Sequence, residues 1–193
     1  ESIFATAIFA PVRGAIEAVA GAKYQDCNLK TKAAYNVLSD HIRSSSFIIA
    51  DGCKPSNDGR GYVLRKIIRR ALLFAKKLSP NKGFFASLVP VFVDQLGEVY
   101  PELVEHQALI FKVLTDETER FFTNLEKGER IFENYLQEAQ TKLTAKISGL
   151  QAFKLYDTYG FPLEITRLMA LDAGFEVDIE DFEKYMEEQR QKS

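Results

Sequence analysis

Residues 51–78 read DGCKPSNDGRGYVLRKIIRRALLFAKKL, a stretch that combines turn-forming residues with a helical pattern. Its first eleven positions are rich in residues typical of tight turns, namely Gly52, Pro55, Ser56, Asn57, Asp58, Gly59 and Gly61. From Val63 onward the apolar residues recur at helical spacing and gather on one broad face. The stretch therefore predicts a turn followed by an amphipathic helix over about 60–77.

The opposite face of this predicted helix is basic. It carries Arg65, Lys66, Arg69, Arg70, Lys76 and Lys77. No acidic residue lies between Asp58 and Asp94. Like charges at i,i+4 destabilise a helix slightly, so this face favours a polyanionic partner, and arginine forks near a helix N-terminus suit phosphate. Charge alone leaves an alternative open, in which the basic face pairs with acidic segments elsewhere in the fold.

The overall composition indicates a globular protein with an uneven distribution of charge. The chain has 193 residues, of which 46% are hydrophobic and 12% aromatic, enough for a packed core. Its net charge of −2 conceals a basic stretch, residues 40–78, with nine Lys/Arg against three Asp/Glu, and an acidic end from Asp172 onward. This pattern excludes a uniformly basic nucleic-acid binder but is compatible with a local basic groove.

The cysteines and histidines do not predict a metal site. Only Cys27, Cys53, His41 and His106 are present, and no C-x-x-C or H-x-x-x-H spacing occurs. Two cysteines in unrelated contexts suit a reducing compartment and do not predict a disulfide framework. The sequence also shows no convincing nucleophile or nucleotide-binding loop, which disfavours a self-contained enzyme.

The start of the chain predicts a core helix, and the two ends together predict a segment excised from a longer protein. The apolar opening SIFATAIFAPVRGAIEAVAGA is interrupted by Pro11, Arg13 and Glu17, so it predicts an amphipathic core helix and not a membrane span. No initiator Met precedes Glu1, and the final residues YMEEQRQKS continue a helical pattern.

Helical periodicity dominates the chain. Helices are predicted at about 3–20, split or kinked at Pro11; at 30–50; at 60–77; in the run FFASLVPVFVDQLG, kinked at Pro90; and at about 102–140. No segment shows convincing period-two alternation. We therefore expect an all-α, multi-helix bundle with one long central helix at about 102–140 and the basic amphipathic helix at about 60–77.

Apolar residues of the long helix repeat every eleven positions. One row holds Ile110, Phe121, Phe132 and Leu143, and another holds Leu114, Leu125 and Leu136. An eleven-residue repeat keeps an apolar stripe nearly straight along a helix axis. The pattern predicts a helix with a structural role against which the other helices pack.

The last third of the chain contains strong helix-capping signals. Ser148 and Gln151 form an S-x-x-Q capping box. Gly160 is placed to end one helix, Pro162 to begin the next and Gly174 to end it. Asp178 is expected to cap the final helix.

Two sequence blocks resemble one family closely. DHIRSSSFIIADGCKPSNDGRGYVLRKIIRRA at 40–71 and AFKLYDTYGFPLEIT at 152–166 resemble the paired signatures of alanyl-tRNA synthetase, in the same order and with a long helical region between them. The resemblance covers nearly the whole chain and is weakest at 1–30 and 80–145. It implies that residues 1–193 form a single helical tRNA-recognition region, subdivided at 1–100, 101–145 and 146–193.

The resemblance also implies what lies outside this chain. In the family the class II catalytic domain is upstream and an editing domain with a zinc site is downstream, and neither signature occurs here. We expect no catalytic residue, cofactor or metal in this segment, whereas the full-length enzyme would use ATP, Mg and Zn. The implied partners are the acceptor stem of tRNA(Ala) and the two neighbouring domains, in the cytoplasm and without a membrane.

Asn57 and Asp157 match the family's base-reading positions. The family recognises a G·U wobble pair, whose guanine 2-amino group projects into the shallow minor groove of A-form RNA and needs a hydrogen-bond acceptor. Asp carboxylates and Asn amides supply such acceptors. Each residue has an alternative structural role: Asn57 as the N-cap of the basic helix, and Asp157 as a cap of the helix beginning near Pro162.

The basic residues Arg60, Arg65, Lys66, Arg69 and Arg70 are the candidates for phosphate contacts, which position the RNA without reading its sequence. Tyr62 and Tyr159 are expected to pack at the turns. His41 beside Asp40 is interpreted as a structural histidine or a surface ion pair, because adjacent helix residues point about 100° apart.

Two functions remain as alternatives from the sequence. The first is tRNA acceptor-stem recognition within an alanine–tRNA ligase. The second is a helical protein-interaction module whose basic face docks an acidic surface without specific RNA recognition. RNA binding should weaken steeply with salt and still distinguish G·U from G·C, whereas protein docking should show no such discrimination.

Overall fold

The computed structural model describes residues 3–192, and this range is mainly helical. Its helices are α1 (Ala10–Ala20), α2 (Leu29–Ala50), α3 (Gly59–Leu78), α4 (Val89–Leu96), α5 (Pro101–Glu105), α6 (Gln107–Thr141), α7 (Gly149–Tyr159), α8 (Leu163–Asp172) and α9 (Ile179–Lys192). Short 3₁₀ turns occur at Ile3–Ala5, Tyr24–Asp26 and Ala86–Leu88. The all-α prediction is confirmed.

The chain divides into two compact units, Glu1–Phe121 and Phe122–Ser193. The boundary falls inside α6, whereas the sequence suggested divisions after residues 100 and 145. That all 193 residues act as one recognition region stays a prediction.

In the first unit, α2 and α3 form the most extensive helix pair. Leu38, Ile42 and Ile49 of α2 and Leu64, Ile68 and Leu72 of α3 are almost completely buried. Burying one such side chain contributes about 1.5–3 kcal/mol, so these positions largely determine how α3 is held. Asn28 caps α2 by accepting from the Thr31 amide at 2.9 Å. Gly52, at φ +83°, follows the end of α2.

Prolines begin helices in this unit and do not kink them. Pro11 lies in the first turn of α1, after a short 3₁₀ turn and an irregular segment. The predicted kink at Pro90 is wrong, because α4 starts at Val89 with Pro90 in its first turn. The missing N–H of proline costs nothing there, since the first helical N–H groups have no intrahelical acceptor.

The long predicted helix is observed in two pieces. α5 ends at Glu105, with His106 as its C-cap, and α6 then runs for 35 residues, about 53 Å. Ile110, Phe121 and Phe132 of the eleven-residue row are buried as predicted. Leu143 is 95% exposed, so its assignment to the row is wrong. The reason is that α6 ends at Thr141 and Leu143 adopts φ +53°.

In the second unit, α7 packs on α9. The capping box of Ser148 and Gln151 is present, and Asp178 accepts from the Asp181 amide at 3.1 Å at the start of α9. A Cβ atom at Gly149 would clash with the backbone of Phe182, so glycine permits this close approach. The starts of α7 and α9 are therefore set by capping residues close to them in the sequence.

The second unit also contains a pair of very short strands. β1 (Lys146–Ile147) and β2 (Glu176–Val177) run parallel, with Lys146 opposite Glu176. This one short pair is consistent with the prediction of an almost entirely helical chain. Two residues per strand are too short for an alternating pattern to be visible in the sequence.

Candidate RNA-binding site

Asn57 lies in an exposed turn directly before α3. Asp58 occupies the N-cap position without a capping side-chain hydrogen bond, so the alternative role of Asn57 as N-cap is not observed. The hydroxyl of Ser56 donates to the carbonyl oxygen of Asp58 at 2.8 Å. A Cβ atom at Gly61 would clash with Ser56 and with the carbonyl of Lys54, so this glycine allows the turn to lie against α3.

The amide oxygen of Asn57 accepts a hydrogen bond from Arg65. The donor is Nη1 of Arg65, and Nη2 of the same guanidinium lies 3.4 Å from the carbonyl oxygen of Pro55. Arg65 thus reaches back from α3 over the turn. A guanidinium offers only donors, so the contact requires the oxygen of the Asn57 amide, and not its nitrogen, to face Arg65.

Arg65 and Arg69 share a buried carboxylate on α6. Nε of Arg69 donates to Oε1 of Glu117 at 2.7 Å, and Nε of Arg65 lies 3.4 Å from the same oxygen without hydrogen-bond geometry. Arg69 is 5% exposed and Glu117 is 2% exposed. Burial lowers the pKa of Arg69, and the charge of Glu117 opposes this shift. The guanidinium of Arg69 also lies over the ring of Phe121.

The buried and exposed faces of α3 differ from those expected from the sequence. The sequence placed Val63 on the apolar face and Arg69 on the basic face, but Val63 is 52% exposed and Arg69 is buried. The physical reason is Glu117, which provides a partner for an otherwise costly buried charge. A phosphate could contact Arg69 only after the Glu117 pair opened, and its assignment as a phosphate ligand stays a prediction.

The other candidate cations are more accessible. Arg60 and Arg70 are exposed, and Lys66 is half-buried with Nζ 5.5 Å from the centre of the Tyr62 ring. Lys76 and Lys77 are exposed in the last turn of α3. The accessible cations of α3 thus extend along the helix from the Asn57 turn.

His41 of α2 belongs to a local charge cluster. Its Nδ1 lies 3.1 Å from Oδ2 of Asp40, and Nη2 of Arg43 donates to Oδ1 of Asp40 at 2.9 Å. Burial lowers the pKa of His41, with Asp40 opposing and the charge of Arg70 reinforcing the shift. His41 and Asp40 therefore do touch, despite being adjacent on the helix, and the half-buried ring fits the interpretation as a structural histidine.

Asp157 is exposed in the last turn of α7, within the second unit. Its Oδ1 accepts from Nε2 of Gln189 on α9 at 2.6 Å. The N-cap of α8 is Pro162, without a side-chain capping bond, so the alternative of Asp157 capping α8 is not observed. Gly160, at φ +65°, ends α7, and Tyr159 before it is half-buried.

Sequence reasoning missed Glu117 and Gln189. The signal for Glu117 was present, because it follows Ile110 and Leu114 at the next position of a buried helical stripe, where an apolar residue is expected. A lone carboxylate in such a stripe indicates a buried cationic partner. No comparable signal existed for Gln189, which lies 32 residues from Asp157.

Between residues 3 and 192, no group of three or more His, Cys, Asp or Glu side chains is arranged to hold a metal ion. No helix in this range combines the length and apolarity needed to cross a bilayer.

Comparison with known proteins gives one family. The sequence model of the family described as tRNA synthetases class II (A) matches residues 1–193. The chain is 45% identical over 190 residues to the alanine–tRNA ligase of Bacillus anthracis, covering 98% of this chain and 22% of that protein. It is 47% identical over 161 residues to the alanine–tRNA ligase of Bdellovibrio bacteriovorus, covering 83% and 18%. The chain thus spans about a fifth of the length of these relatives.

Proposed function

Because the chain belongs to the family of class II (A) tRNA synthetases, we propose that it is the part of an alanine–tRNA ligase that recognises the acceptor stem of tRNA(Ala). The observation that carries this proposal is the placement of Asn57. Its side chain lies in an exposed turn at the start of a helix whose accessible cations include Arg60 and Arg70. A hydrogen-bonding group beside a row of cations is suited to reading a base edge while phosphates are held.

Minor-groove reading is assigned to Asn57 and Asp157. In a G·U wobble pair the guanine 2-amino group is not bonded to uracil, and the wide minor groove of A-form RNA admits a side chain. Both residues are exposed, and both carry an sp² oxygen that can accept from this amino group. Asn57 belongs to the first unit and Asp157 to the second, so the proposal gives each unit one base-reading residue.

Phosphate binding is assigned chiefly to Arg60, Lys66 and Arg70. Arg60 and Arg70 are exposed, and their guanidinium groups can donate two parallel hydrogen bonds to one phosphate. Arg65 and Arg69 face Glu117 and remain candidates whose contact with phosphate would require rearrangement of that pair. These contacts would position the stem and carry no sequence information.

In the full-length protein, recognition would precede attachment of alanine. The proposed enzyme forms alanyl adenylate from alanine and ATP and transfers the alanine to the tRNA 3′ end, in the cytoplasm. The catalytic domain would lie upstream of this chain and the editing domain downstream. The described residues contribute no step of that chemistry in this proposal. They select and hold the RNA.

The test compares two acceptor-stem hairpins that differ only in a G·U or a G·C pair. Binding of the full-length protein is measured for the parent, Asn57→Ala and Asp157→Ala. We expect the parent to prefer G·U and each substitution to reduce the preference, because each removes one acceptor for the guanine amino group. Equal binding of both hairpins by the parent would contradict minor-groove reading and support the protein-docking alternative if salt also had little effect.

A further inference from the structure

We propose that Arg65 and Glu117 are positioning residues that set the orientation of Asn57 for base reading, an inference that rests on the proposed function above. The three side chains form a continuous series of contacts from α6 through α3 to the turn. Glu117 lies beside Arg65, and Arg65 donates to the amide oxygen of Asn57. All three residues belong to the first compact unit.

The first step of the argument concerns the Asn57 amide. A free Asn side chain can rotate, so that its oxygen and nitrogen exchange places at a binding surface. Because Arg65 can only donate, its contact fixes which branch of the amide holds the oxygen. The oxygen has two lone pairs, so one remains to accept from a guanine amino group while Arg65 holds the other.

The second step concerns how Arg65 itself is held. An arginine side chain has about 2 kcal/mol of rotamer entropy to lose, so an unsupported Arg65 would orient Asn57 poorly. Here Oε1 of Glu117 lies 3.4 Å from Nε of Arg65, and the carboxylate is buried on α6. Glu117 is fixed in turn by its hydrogen bond from Arg69. The site is thereby ordered before RNA arrives.

The third step separates Arg65 from the phosphate-binding residues. Each of its three guanidinium nitrogens lies near a protein acceptor: Nε near Glu117, Nη1 on Asn57 and Nη2 near Pro55. Arg60 and Arg70, in contrast, are exposed on the same helix. Arg65 is therefore directed at the reading residue and not at solvent.

The deciding variant is Arg65→Lys in the full-length protein. Lysine keeps the positive charge, but its single ammonium cannot reproduce the fork that spans Asn57 and Glu117, and the Arg69–Glu117 pair remains to support folding. We expect the G·U to G·C affinity ratio to fall roughly three- to ten-fold, the effect of about one hydrogen bond. The slope of log affinity against log salt and the thermal unfolding midpoint should change little.

A double-mutant cycle tests whether Arg65 acts through Asn57. Arg65→Lys should not reduce the ratio further in an Asn57→Ala background, whereas effects that add would overturn the proposal. Glu117→Gln should lower the ratio as Arg65→Lys does. If Arg65→Lys leaves the G·U to G·C affinity ratio unchanged, the proposal is overturned, whatever the effect of Glu117→Gln.

The matched control is Arg70→Gln, on the exposed side of the same helix. It should weaken both hairpins equally and reduce the salt slope by about one, as expected for a phosphate contact. The same result for Arg65→Gln would show that Arg65 is a phosphate ligand. That outcome would overturn this inference but not the proposed function. A parent protein that binds both hairpins equally would instead overturn the proposed function, and the inference with it.

Discussion

Nε of Arg69 donates a hydrogen bond to Oε1 of Glu117 across 2.7 Å, and both side chains are almost completely buried. The two residues are 48 positions apart and join α3 to α6 within the first unit. The pair explains how a helix with so many like charges holds one of them in its core. Replacing only one residue of the pair should therefore lower the free energy of unfolding substantially.

Glu117→Ala should destabilise the fold by about 3–5 kcal/mol, because it removes the buried carboxylate that pairs with the Arg69 guanidinium. The measurement is urea unfolding of the purified protein. Removing both partners in Arg69→Met/Glu117→Leu should restore most of the loss, since no charge is then left buried. If Glu117→Ala lowers the free energy of unfolding by less than about 1 kcal/mol, water or another group solvates Arg69.

Gly61→Ala should disturb the Asn57 turn. A methyl group at this position would clash with Ser56 and the carbonyl of Lys54, and overpacking of this kind costs about 1–3 kcal/mol. Its matched control is Gly14→Ala in α1, where a new Cβ atom meets nothing within 4 Å. That substitution should stabilise the protein by about 0.5–1 kcal/mol. Equal unfolding midpoints for the two variants would contradict the tight contact at Gly61.

Stability should fall as the pH decreases from 7.5 to 5.5, with a contribution from His41. Burial lowers its pKa below the ordinary 6.5, so the unfolded chain binds the proton first as the pH falls, and stability is lost below about pH 6.5. Asp40 and Arg70 act on the same ring in opposite directions. His41→Gln should have a shallower dependence of unfolding free energy on pH than the parent. Parallel curves would rule out this contribution.

Arg60→Gln should weaken RNA binding without altering base preference. Each phosphate contact removed should reduce the slope of log affinity against log salt by about one. Titrations of the G·U and G·C hairpins at several salt concentrations measure both quantities. A change in the G·U to G·C ratio at constant slope would indicate that Arg60 reads a base.

Much of the helical framework was predictable because its signals are local. The capping box of Ser148 and Gln151 and the cap at Asp178 involve groups three residues apart, so the sequence displays them directly. The helices at 30–50 and 60–77 were predicted close to their observed limits. Two predictions were wrong because they depend on where a helix begins or ends. Pro90 lies in the first turn of α4, and Leu143 lies beyond the end of α6.

For the candidate site, the residue types and their local neighbourhood were predictable from the sequence. It placed Asn57 in a turn before a basic helix and Asp157 in a second block, because turn formers and helical periodicity act over a few residues. Which arginines face inward depends on the packing of helices that are distant in sequence. Arg69 and Arg65 meet Glu117 through packing between α3 and α6, and a buried charge is tolerated only where a distant partner compensates its lost hydration.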